Sequence, residues 1–112
     1  MAKTESMQFD GRIGWARNSG FQAVNMAACF GATRIVLVGF DMTLEGGSHW
    51  HGDHGTGLSN PTQKRMAEWR RDMDAAASDL ARIGVEAINA SKVSALVNYR
   101  KAPLLDAVKG IA

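Results

Sequence analysis

Three histidines are the whole histidine content of this 112-residue chain, and they fall in one stretch, His49-Trp50-His51-Gly52-Asp53-His54. The spacing H-x-H-x-D-H brings the imidazoles of His49, His51 and His54 and the Asp53 carboxylate within reach of one divalent metal ion of borderline softness. No other cofactor is indicated. The same imidazoles titrate near neutral pH, so His51 and His54, with Asp53 between them, are also candidates for acid–base catalysis on a substrate hydroxyl. The competing reading is a hydrogen-bonded loop, anchored by Trp50, that covers a pocket.

Two further polar sets stand at the expected ends of regular elements. Asn18-Ser19-Gly20 opens a predicted helix, where free N–H groups favour an anion and a glycine permits close approach. Asn18 or Ser19 also serves as an ordinary cap. Asp41 follows an apolar run, and Asn89 and Ser91 follow another.

The elements that must position these groups are readable from periodicity. Phe21, Val24, Ala27, Ala28 and Phe30 repeat at helical spacing, predicting a helix from about Ser19 to Phe30 with Gly31 as its stop. Arg34 to Phe40 is a continuous β-branched apolar run, expected as a central parallel strand covered on both faces. A glycine-rich stretch of about eighteen residues follows, longer than ordinary connections and therefore expected to be functional. Asn60 as N-cap, Pro61 at N1 and Gln63 at N3 predict the next helix start. Its apolar stripe is Met66, Trp69, Met73, Ala76, Leu80 and Ile83. Gly84 ends it, Val85 to Asn89 reads as a short strand, and Ser94–Val97 and Pro103–Val108 as short helices. Cys29 reads as a small buried hydrophobe and Arg100-Lys101 as solvating charge.

This order predicts a single α/β domain over residues 1–112, with 1–17 an irregular amino-terminal arm. The sheet is expected to be small, open, mostly parallel and Rossmann-like, a truncated half of a doubly wound fold. In such sheets ligands bind beyond the carboxyl ends of the strands, so Asp41, the histidine loop, Asn89 and the Ser19 turn are expected on one rim.

The series Asn18-Ser19-Gly20, Gly31-Ala32-x-x-Ile35, Leu37-Val38-Gly39-Phe40-Asp41, the histidine-rich loop and Asn89-Ala90-Ser91 resembles phage and bacterial proteins related to the motility-accessory glycosyltransferase domain. More distantly it is similar to bacterial sialyltransferases that use a CMP-activated sugar. The resemblance spans roughly residues 17 to 97. It implies that Asn18, Ser19 and Gly20 contact a nucleotide or its phosphate and that Asp41 lines the same pocket. Asn89 and Ser91 join them as nucleotide-binding candidates on the rim. Glycosyl transfer would then use His51 or His54 as base toward the acceptor hydroxyl. Those enzymes carry a further amino-terminal half, and the turn at Asn18 stands almost at the start of this chain.

Two other function classes compete. A non-catalytic phage accessory or assembly protein would work through an oligomeric interface, and a homo-oligomer is expected because a truncated sheet leaves an edge to cover. A metal-dependent hydrolase would use His49, His51, Asp53 and His54. The spelling H-x-H-x-D-H also occurs in metallo-β-lactamase-type hydrolases, but no histidine follows His54 to complete their ligand set.

Composition narrows the field. A formal charge of +2, spread along the chain, gives no nucleic-acid footprint. One cysteine excludes an intrachain disulfide and fits a reducing compartment. No apolar run is long enough to span a membrane. The expectation is a cytoplasmic protein, in the host cytoplasm for a phage-encoded member.

Overall fold

Asn18 starts the first helix as its side chain predicts. Its backbone is extended, and its Oδ1 accepts from the N–H groups of Gly20 (2.8 Å) and Phe21 (3.4 Å). The computed structural model describes residues 4–42 and 62–109. Helix α1 runs Ser19–Cys29 and stops where Gly31 takes φ +94°. Gly31 N–H then reaches the Ala28 carbonyl and Ala32 N–H the Ala27 carbonyl, both at 3.1 Å, a Schellman closure. Helix α2, Gln63–Arg82, ends identically: Gly84 takes φ +81°, Gly84 N–H meets the Ala81 carbonyl and Val85 N–H the Leu80 carbonyl, each at 3.0 Å. Each glycine thus turns a helix directly into a strand.

Those strands, β1 (Arg34–Leu37) and β2 (Glu86–Asn89), pair in parallel with Arg34 opposite Glu86 and Leu37 opposite Asn89. A third strand, β3 (Arg100–Lys101), pairs in parallel with the end of β2, Ile88 opposite Arg100 and Asn89 opposite Lys101. The order β1-β2-β3 makes an open three-stranded sheet, followed by the single turn of α3 (Leu104–Ala107). The mixed α/β expectation therefore holds. All three strands point one way, so their carboxyl ends form one rim. At the opposite edge Glu86 pairs with Arg34 and lies 3.7 Å from Arg100.

Several local expectations need correction. The first strand is not central: among the described residues β1 is an edge strand, and it ends at Leu37, where only that residue is buried. An apolar run shows that side chains can be covered, not that both edges are paired. Helix α2 is capped by Thr62, whose hydroxyl accepts from Arg65 N–H at 3.0 Å, so Gln63 is its first residue and not its third. Asn60 and Pro61 lie outside the described residues. Ser94–Val97 is not helical, because Asp74 and Asp41 accept the backbone N–H groups of Ala95, Val97 and Asn98. Arg100-Lys101 forms a strand. Ile83 is exposed and Asp72 buried, a slight rotation of the expected α2 stripe.

The core gathers Phe21 and Val24 from α1, Leu37 from β1, and Met73, Ala76 and Leu80 from α2, with Val85, Leu96 and Tyr99 around them. Each large side chain so covered contributes roughly 1.5–3 kcal/mol. Tyr99 Oη donates to the Met73 carbonyl at 2.6 Å, and burial first, then Asp74 and Asp79, push its phenol upward, so it remains a donor. The described part of the arm is pinned to the core. Met7 and Ala16 are buried, and Asn25, fully buried in α1, binds the arm backbone at Gln8 and Gly14. Cys29 is only half-buried, and its thiol donates to the Gln8 carbonyl at 3.3 Å. No helix among the described residues is long and apolar enough to cross a membrane.

Candidate functional site

The carboxyl rim is built by side chains that tie β1 to β2. Beyond Leu37 the chain turns at Gly39, φ +76°, and Phe40 N–H donates to Ser91 Oγ at 2.9 Å. Ser94 Oγ donates to the Phe40 carbonyl at 2.6 Å while accepting from Asn89 Nδ2 at 3.0 Å. Asn89 Oδ1 in turn accepts Ser91 N–H at 3.1 Å. Asp41 is joined through its backbone carbonyl, which accepts Ala95 N–H at 2.8 Å. Asn89 is 2% exposed, so its amide lies inside this network.

Beyond the network opens a groove of about 770 Å³. Its polar walls are Asp41, Asn89, Ser91, Lys92 and Lys101, and its apolar ones include Val38, Pro103 and Leu104. Topology explains the assembly: β1 delivers Asp41, β2 delivers Asn89 and Ser91, and the parallel pairing of β3 sets Lys101 opposite Asn89. Asp41, Lys92 and Lys101 form no ion pair among the described residues. Two separated cations and one carboxylate on a partly apolar wall can hold a ligand with a phosphate at one end, a hydroxyl donor beside it and a flat apolar part.

Three of the six nucleotide-binding candidates, Asp41, Asn89 and Ser91, thus share one groove. The other three do not line it. Asn18 is occupied as the α1 cap, Ser19 is exposed, and Gly20 lies against Phe40, where an added Cβ would stand 3.1 Å from Cε2 of that ring. The start of α1 therefore abuts the same rim through Phe40. His49, His51, Asp53 and His54, the metal and catalytic candidates, lie outside the described residues. Among the described residues no three His, Cys, Asp or Glu side chains are grouped to hold a metal. Sequence reasoning missed Ser94, Lys92 and Lys101. A serine five residues beyond a strand-end asparagine carries no local signal, and the lysines acquire their place only when β3 pairs.

Comparison of the chain with protein-family models, curated proteins and solved structures finds no match.

Proposed function

We propose that this chain binds a nucleotide or nucleotide sugar in the rim groove of a Rossmann-like open sheet. The observation carrying this reading is the cavity at the carboxyl ends of three parallel strands, with Asp41, Lys92 and Lys101 on its walls and in no ion pair among the described residues. The ammonium groups of Lys92 and Lys101 complement phosphate oxygens. Asp41 accepts from a ribose or sugar hydroxyl, and Val38, Pro103 and Leu104 offer a surface for the base. The helix start at Asn18-Ser19-Gly20 adds a dipole favourable to negative charge on the same side. Glycosyl transfer from such a ligand requires a base for the acceptor hydroxyl, a role suited to His51, His54 or the Asp41 carboxylate.

Calorimetry and thermal unfolding with CMP, CDP, UDP and their sugars test the reading. A ligand at a hundredfold excess over its Kd stabilises the fold by about 2.7 kcal/mol. Lys92→Ala and Lys101→Ala are each expected to weaken a nucleoside diphosphate roughly tenfold, since a charge-assisted hydrogen bond is worth about 1.5–3 kcal/mol. Cytidine, without phosphate, should be insensitive to both. Absence of stabilisation by every nucleotide would overturn the reading.

A further inference from the structure

We propose a second ligand site, independent of the rim groove: a cleft between the amino-terminal arm and α2 that takes a small zwitterion, a free α-amino acid with an uncharged polar side chain. The cleft measures about 240 Å³, below the roughly 300–1,000 Å³ of pockets for drug-sized molecules. Its walls are Glu5, Arg17, Arg65, Glu68, Arg71 and Asp72, with Ala16 as the one apolar residue. That is three charges of each sign. A net anion or cation entering it would meet as many like charges as opposite ones, whereas a ligand carrying both can be matched on both.

Internal pairing leaves two of these charges over. Arg65 pairs with Glu68 at 3.3 Å and Arg71 with Asp72 at 3.0 Å. Among the described residues neither Glu5 nor Arg17 forms an ion pair. A ligand carboxylate therefore has Arg17, with its fork of donors, and a ligand ammonium has Glu5.

Arg17 is held ready at a cost. Ala16 and Arg17 both take left-handed backbone, φ 44° and 53°, a conformation costing non-glycine residues of order 1–3 kcal/mol each. The Thr4 carbonyl maintains it by accepting both Trp15 N–H and Ala16 N–H at 3.0 Å, and the Ala16 methyl is buried. The guanidinium then rests over the Trp15 ring, 5.2 Å from its centroid, which limits its motion. Asp72, by contrast, is engaged: burial raises its carboxyl, Arg71 opposes the rise, and Glu5 and Glu68 add to it. Asp72 thus closes the inner wall and leaves Glu5 to meet the ligand.

Backbone amide NMR titration with L-glutamine tests the proposal, with glutaramate, which lacks the ammonium, and 4-aminobutanamide, which lacks the α-carboxylate, as controls. Saturable shifts at Glu5, Arg17 and Arg65 are expected with L-glutamine, at an affinity at least tenfold above either control. Arg17→Asn and Glu5→Gln should each weaken L-glutamine tenfold or more. Asn tolerates left-handed backbone, so Arg17→Asn should keep or raise the unfolding temperature and separate lost binding from lost folding. Equal binding of glutaramate would reduce the cleft to an anion patch and overturn the proposal, as would the absence of any saturable shift. Neither result bears on nucleotide binding at the rim, which is read separately.

Discussion

Asn25→Ala is expected to lower folding stability by about 3 kcal/mol, because it removes a fully buried side chain that makes three hydrogen bonds to the amino-terminal arm. Asn25 is fully buried; its Oδ1 accepts from Gln8 N–H (3.0 Å) and Gly14 N–H (2.8 Å), and its Nδ2 donates to the Gln8 carbonyl (2.7 Å). Alanine leaves the N–H groups of Gln8 and Gly14 without partners and the Gln8 carbonyl with only the weak Cys29 thiol donor. Each such loss costs roughly 1–3 kcal/mol when water cannot enter, and less where it can, which brings the total to the value given. Urea denaturation measures the loss, and amide hydrogen exchange locates it. The amides of Gln8 and Gly14 should lose protection while those of α2 keep it. A loss below about 1 kcal/mol with Gln8 still protected would mean that burial of Met7 and Ala16, not the amide, holds the arm.

The second large effect is expected from Asn89→Ala, which should cost about 2 kcal/mol and reduce nucleotide affinity about tenfold. Asn89 bridges Ser91 N–H and Ser94 Oγ, and Ser94 holds the Phe40 carbonyl, so one side chain fixes the relative position of the β1 and β2 ends. The affinity loss follows from displacing Asp41 and Lys92 together, without removing either. Comparison with Ser94→Ala and the double variant is decisive. A coupling of about 0.5 kcal/mol or more is the mark of a network acting as a unit. Strict additivity would show that the two residues act separately and that the rim is held by the strand pairing alone.

What the sequence disclosed follows how local each cause is. Both helix stops at Gly31 and Gly84, and the cap at Asn18, depend on residues within one turn, and each was legible. The rim position of Asp41 and Asn89 followed from parallel pairing, a rule that needs only element order. Asn25 was not legible, since an asparagine inside an apolar helix face looks neutral until the arm folds over it. β3 was not legible either: two charged residues have no periodicity, and only the partner β2 makes Arg100 and Lys101 a strand. Lys92 and Lys101 were missed for the same reason. The run Arg34–Phe40 misled in the other direction, because β-branched residues signal extended backbone equally at the edge and the centre of a sheet. The histidine cluster, the most conspicuous chemistry in the sequence, lies outside the described residues.

The two ends of the sheet differ in how their charges are paired, and that difference bears on how the proposed rim ligand would arrive. Glu86 pairs with Arg34 and stands near Arg100 at the amino edge, while Lys92, Lys101 and Asp41 at the carboxyl rim form no ion pair among the described residues. Among these groups each end carries two cations and one carboxylate, on a chain whose formal charge is +2, so the ends differ in pairing and not in sum. An anion near the rim would feel its unpaired cations over about one Debye length, ~8 Å at physiological salt. Ionic strength would then act on the rate of capture more than on the rate of escape, so concentrated salt and a dilute buffer would present the same groove with different waiting times.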